Sequence, residues 1–115
     1  MKIRQIQDNI CLMVNMAEIK EVAAKIGRMA NAESVILFGS YARGKADESS
    51  DVDFLVIADS SLPKHKRSRE LYRLFNPYPF GMDIVVYTAA EVELARKSPL
   101  SFISTVLRDG KKIYG

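Results

Sequence analysis

The sequence predicts a small α/β layered domain, a mixed β-sheet of three to four strands with helices packed on it. Three observations carry this. Short apolar runs rich in strand formers recur at 35–38, 52–58 and 82–87. Segments whose apolar residues repeat at helical spacing lie before, between and after them. The link between the first two strands is only about a dozen residues, marginal for a parallel crossover, so the sheet should be mixed rather than purely parallel.

Each element follows in order. Ile3, Ile6 and Ile10 have helical spacing over a very short segment. Asn15 caps the first full helix, with Glu18 three residues on as in a capping box. Ile19, Val22, Ile26 and Met29 mark its inner face, and it should end near Asn31. The first strand, 35–38, stops at Gly39-Ser40, after which 41–44 could open a short helix. Residues 45–50 read as a loop and 52–58 as the second strand. Ser60, Ser61 and Pro63 announce a helix from 64 to about 75, with Leu71, Leu74 and Phe75 inward. Asn76-Pro77-Tyr78-Pro79 breaks it. After the third strand, 82–87, Thr88 and Glu91 form a second capping box for a helix over 89–97. Ser98-Pro99 restarts the chain as a helix that buries Leu100, Ile103, Val106 and Leu107 and stops at Asp109-Gly110. Residues 111–114 read as a short edge strand.

The chain has 115 residues, enough for a single domain spanning 1–115, in which 1–14 form an N-terminal extension of unknown role. Hydrophobic residues at 48% exclude a disordered chain, and no apolar run approaches a membrane span. The longest near the start, 10–14, is too short for a signal-peptide core, so a cytoplasmic location and no membrane partner are expected. One cysteine, Cys11, reads as a small apolar residue, and one histidine, His65, as a surface residue. Together they exclude zinc centres built on several such ligands, so any metal must be held by carboxylates, which points to Mg²⁺ or Mn²⁺. The net charge of +3 tolerates a polyanionic partner without demanding one.

Three carboxylates stand in or beside apolar strands: Asp51 and Asp53 at the second, Asp83 at the third. Aspartate is a poor strand former, and an isolated carboxylate beside a core is costly. Period two puts Asp51 and Asp53 on one face, their α-carbons roughly 6–7 Å apart, within reach of shared divalent ions. Val52 and Phe54 would anchor the opposite face. Asp83 could join if the third strand is adjacent. Alone, an Asp-x-Asp recurs by chance. Here Gly39 follows the first strand directly, permitting close backbone approach in a turn that can cradle phosphate, and Ser40 adds a hydroxyl. A phosphate-cradling turn and paired carboxylates on successive strands suit metal-assisted phosphoryl or nucleotidyl transfer. A third carboxylate could then accept the proton of the attacking hydroxyl.

Gly39-Ser40, ten intervening residues and Asp51-Val52-Asp53 match the nucleotidyltransferase signature of the DNA polymerase beta superfamily. The fuller strings, Leu37-Phe38-Gly39-Ser40-Tyr41-Ala42-Arg43-Gly44 and Ser50-Asp51-Val52-Asp53-Phe54-Leu55-Val56, resemble the minimal nucleotidyltransferase (MNT) family. The likeness runs from about Ala17 to Tyr114. Met82-Asp83-Ile84-Val85-Val86 fits the family's third acidic strand.

The resemblance implies a polymerase beta-like nucleotidyltransferase fold. It implies that Gly39 and Ser40 hold the nucleotide's phosphates, that Asp51 and Asp53 ligate two Mg²⁺, and that Asp83 ligates the catalytic metal and helps deprotonate the acceptor. Arg43 would contact phosphate or an acidic partner, or is simply a solvated arginine. ATP is the implied nucleotide. MNT proteins pair with small helical HEPN proteins, RNase toxins that several of them neutralise by adding AMP to a tyrosine. The resemblance therefore implies a protein adenylyltransferase, an antitoxin in a hetero-oligomer with a HEPN toxin. A small-molecule nucleotidyltransferase of the antibiotic-modifying kind, or a non-catalytic antitoxin that masks its partner, are the alternatives.

Lys64, Lys66, Arg67, Arg69 and Arg73 form a basic run that reads first as a solvated face, with a rim for triphosphate or RNA as the functional alternative. Without aromatic interleaving, no direct nucleic-acid binding is expected. Tyr41, Tyr72 and Tyr78 could stack on a base, though packing explains each as well.

Overall fold

A computed structural model describes residues 13–115. Cys11, the Ile3–Ile6–Ile10 spacing and nearly all of the 1–14 extension lie outside the described residues. The first helix, α1, is Met16–Ala30, opened by the Asn15–Glu18 capping box and closed by Asn31 in the left-handed region (φ 51°). Asn31 accepts that backbone at small penalty, which is why an asparagine ends the helix. Ile19, Val22, Ala23 and Ile26 face inward, whereas Met29 is 54% exposed, contrary to the spacing.

Four strands follow. They are β1 (Ser34–Phe38), β2 (Val52–Ile57), β3 (Met82–Tyr87) and β4 (Lys111–Tyr114), in the spatial order β3-β2-β1-β4. β1 runs antiparallel to both β2 and β4, while β2 and β3 are parallel. The sheet is therefore mixed, as the short β1–β2 connection required, and β4 is an edge strand.

Alternation sorts the strand residues between two cores. Val35, Leu37, Val52, Phe54, Val56, Ile84 and Val86 pack under α1 with Leu71 and Phe75. Ile36, Leu55 and Ile57 pack on the other face with Val92, Ile103 and Val106. These last come from α3 (Ala89–Ala95) and α4 (Phe102–Asp109). Burying Phe54 completely contributes roughly 2–3 kcal/mol. β2 is covered on both faces, so its residues are apolar on both, with Asp53 the one exception.

Several elements differ from expectation. The stretch 41–44 is a turn rather than a helix: the Ala42 and Arg43 N–H groups both donate to the Gly39 carbonyl (3.1 and 3.2 Å). The helix expected over 64–75 divides into a 3₁₀ turn, Lys64–Lys66, and one α-turn, α2 (Arg69–Tyr72). α3 ends at Ala95, two residues early. α4 is capped by Ser101 instead of starting at Ser98-Pro99, because the Ser101 hydroxyl accepts from the Ser104 N–H (3.1 Å) and donates to the Ala95 carbonyl (2.8 Å). Leu100 thereby falls in the turn and is 93% exposed.

The division at 67 has a definite cause. The Arg67 guanidinium makes a two-pronged pair with Glu91 (2.6 and 3.0 Å) and donates to the carbonyls of Leu62 (2.9 Å) and Val86 (3.3 Å). Its side chain is only 8% exposed, so Arg67 is a strut rather than part of a solvated face. Arg67 and the Thr88 N–H hold the Glu91 carboxyl at about 2, below its usual value of 4.5. That support is full above pH 4.5 and is lost as pH falls toward 2. Replacing Arg67 by methionine leaves Glu91 without its partner and is expected to lower stability by about 2 kcal/mol, measured by urea unfolding.

Candidate active site

Where β1 ends, Gly39 turns the chain at φ +76°. Its last residue, Phe38, stands opposite Asp53 in the antiparallel ladder. A side chain on Gly39 would strike the Asp53 carboxylate, so the glycine both makes the turn and leaves that carboxylate its space. Ser40 follows within the turn, its carbonyl accepting from the Lys45 N–H (2.9 Å).

The parallel register of β2 and β3 sets Asp53 directly beside Asp83. Their two carboxyls face the same side of the sheet and repel one another when both are charged. Asp51 stands just before β2, where the Val52 N–H donates to the Gly81 carbonyl (2.9 Å). A Cβ on Gly81 would meet the Asp51 carboxylate. Two glycines thus clear room for two carboxylates. Gly81 has no motif of its own; its place one residue before a strand that opens Met82-Asp83 is the only local signal of its part.

The electrostatics follow from this convergence. Partial burial, then the charges of Asp83 and Asp51, push the Asp53 carboxyl up to about 6, while Arg43 pulls the other way. Arg43 therefore lies within electrostatic reach of the acid cluster. Tyr72, which the sequence offered either to stack on a base or to pack, sets its hydroxyl beside β3 and accepts from the Ile84 N–H (2.8 Å). Partial burial raises its phenol, and the Asp83 and Asp51 charges add to that.

The structure thus brings Asp51, Asp53, Asp83, Gly39 and Arg43 together, with Ser40 one step along the turn. The other singled-out residues separate. Tyr41 spends its hydroxyl on the Val14 N–H (3.2 Å). In the basic run, Lys64 sits 4.0 Å over the Tyr87 ring and Arg73 pairs with Glu70 (2.6 Å). Asp51, Asp53 and Asp83 suit a hard divalent cation in kind, since all are carboxylates and a cation would relieve the repulsion on Asp53. They are not closed around one: among the described residues, no group of three or more His, Cys, Asp or Glu side chains is gathered as a metal-ligand set.

The sequence pattern of the family described as "Nucleotidyltransferase domain" matches residues 17–113. The chain belongs to that family. Two Methanocaldococcus jannaschii proteins, each named "Putative protein adenylyltransferase", are similar to this nucleotidyltransferase domain. One is 44% identical over 86 residues, covering 70% of this chain and 57% of the relative. The other is 41% identical over 54 residues, covering 47% and 54%. The chain thus spans little more than half the length of these curated relatives.

Two solved structures share the fold. A Sulfolobus solfataricus protein described as "a putative nucleotidyltransferase" superposes with a TM-score of 0.56 at 22% identity, over 82% of this chain and 74% of that one. A toxin–antitoxin structure with AMP-PNP gives 0.50 at 21% identity, over 84% and 73%. Among the described residues of this nucleotidyltransferase domain, no helix is long and apolar enough to cross a membrane.

Proposed function

We propose that this domain transfers AMP from ATP to the hydroxyl of a tyrosine on a HEPN-type RNase toxin, as the antitoxin of a cytoplasmic toxin–antitoxin pair. The observation that carries this reading is the side-by-side placement of Asp53 and Asp83, with Asp51 and the Gly39 turn against them. The names of the M. jannaschii relatives support transfer to a protein, and the toxin–antitoxin neighbour supports a partner.

Asp51, Asp53 and Asp83 would hold Mg²⁺ or Mn²⁺, which supplies positive charge against the triphosphate. The chain's own residues do the rest. Gly39 and Ser40 receive the phosphates at the turn, and Arg43 adds a positive charge beside them. Asp83 accepts the proton of the acceptor hydroxyl. The acceptor oxygen bonds to the α-phosphorus as the bond from that phosphorus to the bridging oxygen breaks, and pyrophosphate leaves. In this reading 1–115 is a single catalytic domain that neither binds nucleic acid directly nor enters a membrane.

Intact mass spectrometry tests the reading. The chain is mixed with ATP, Mg²⁺ and a HEPN-type RNase from the same genome. The RNase should gain one adenylyl group, and the Asp51→Asn, Asp53→Asn double variant should slow that gain at least about 10³-fold. A stable complex with no mass gain from any nucleotide, and unchanged neutralisation by the double variant, would instead establish masking by binding alone.

A further inference from the structure

The parallel register pairs Val52 with Met82 and Asp53 with Asp83. Carried one residue back, it brings Asp51 beside Gly81, where the Val52 N–H on the Gly81 carbonyl (2.9 Å) ties the two chains together. Val52 and Met82 pack in the core under α1. Alternation therefore turns Asp51, Asp53 and Asp83 to the opposite face, together with the position of Gly81. A Cβ built on Gly81 points at the Asp51 carboxylate, which agrees with that placement. Four neighbouring positions thus form a block on one face. Three of them carry carboxylates, and the fourth corner carries no side chain.

The backbone does not demand this bare corner. Gly39 turns at φ +76° and needs to be glycine on that ground alone, whereas Gly81 has no positive φ, so an alanine meets no left-handed strain there. What an alanine does meet is Asp51, since its methyl carbon would run into a carboxylate oxygen. That oxygen is the far end of an exposed, rotatable side chain, so the carboxylate swings aside while the strand keeps its place. Asp51 stands outside β2, and among the described residues no hydrogen bond or ion pair holds its carboxylate. The space left at Gly81 is what lets it lie against β3, on the side where Asp83 follows two residues later.

We propose that Gly81 is the positioning residue for Asp51, its bare corner aiming that carboxylate so that it can share a divalent cation with Asp53 and Asp83. This rests on the reading that the three aspartates hold Mg²⁺ or Mn²⁺, and it names the residue that aims the first of them. A side chain at 81 would turn Asp51 away from the other two carboxylates. Cation binding would weaken while the sheet stayed folded. Loss of a group that orients a metal ligand costs about tenfold in metal affinity.

Mn²⁺ binding to the whole chain, followed by electron paramagnetic resonance, reads this role without turnover. Gly81→Ala should weaken Mn²⁺ binding about tenfold and leave the urea midpoint of the metal-free chain unchanged. In an Asp51→Ala background the same change should make no further difference to Mn²⁺, because the side chain it acts through is gone. In the transfer assay, the Mg²⁺ concentration giving half the maximal rate should rise about tenfold, with the rate recovering at saturating Mg²⁺. Equal Mn²⁺ binding by Gly81→Ala overturns the role and leaves the metal reading standing. A further loss of binding in the Asp51→Ala background overturns it too, since the glycine then acts by another route. A urea midpoint lowered by Gly81→Ala in both backgrounds makes the glycine structural and likewise overturns it. No Mn²⁺ binding by the natural chain sinks the metal reading and this role with it.

Discussion

Replacing Asp53 by asparagine should abolish nucleotidyl transfer and, in metal-free buffer at pH 8, raise the melting temperature. The two effects share one cause. Asp53 titrates near 6 in the folded chain and near 3.8 when unexposed to its neighbours. Between those values the folded chain holds the proton more tightly than the unfolded one. Stability therefore falls as pH rises from about 4 to about 6, and the full penalty persists above that. Asparagine removes it. Because Asp53 is partly exposed, screening reduces the gain to about 1 kcal/mol, roughly 4 °C for a domain of this size. The gain should vanish below about pH 4. Added Mg²⁺ should raise the melting temperature of the natural sequence more than that of the variant. A variant no more stable than the natural chain at pH 8 would contradict the crowding of Asp51, Asp53 and Asp83.

Gly39→Ala should produce the other large effect. The left-handed backbone costs an alanine about 1 kcal/mol, and its methyl group runs into the Asp53 carboxylate. A total loss near 2 kcal/mol is expected, with transfer falling along with it as Asp53 is displaced. A double-mutant cycle isolates the contact. Adding Asp53→Ala removes the obstructing carboxylate, so the pair should be less destabilised than the sum of its parts by about 1 kcal/mol in urea unfolding. Strict additivity would mean that the two residues do not touch.

Much of this site lies in plain view in the sequence, because its signals are local. An aspartate in an otherwise apolar strand declares itself by its cost, and Gly39-Ser40 marks the strand end that faces it. The Asn15–Glu18 and Thr88–Glu91 boxes satisfy helix donors within four residues, so both helix starts are legible. What escaped depends on distant partners. Arg67 reads as one charge in a basic run until Glu91, from another helix, is packed against it. Leu100 fits the periodicity of a helix that Ser101, not Ser98, in fact caps. Gly81 and Tyr72 act only through residues the fold sets beside them, Asp51 and Ile84.

The same two side chains, Tyr72 and Arg67, settle how the sheet can meet another polypeptide. β3 is an outer strand, and an open outer strand invites a stranger's backbone to pair with it. Here the Ile84 N–H is occupied by the Tyr72 hydroxyl and the Val86 carbonyl by the Arg67 guanidinium. At the opposite margin, β4 begins with two exposed lysines, Lys111 and Lys112, whose charges repel stacking of like chains. Both borders of the sheet are thus hemmed. A visiting protein gains little by lengthening the sheet and must engage this molecule through its side chains, which disfavours runaway fibre growth and favours discrete, reversible complexes.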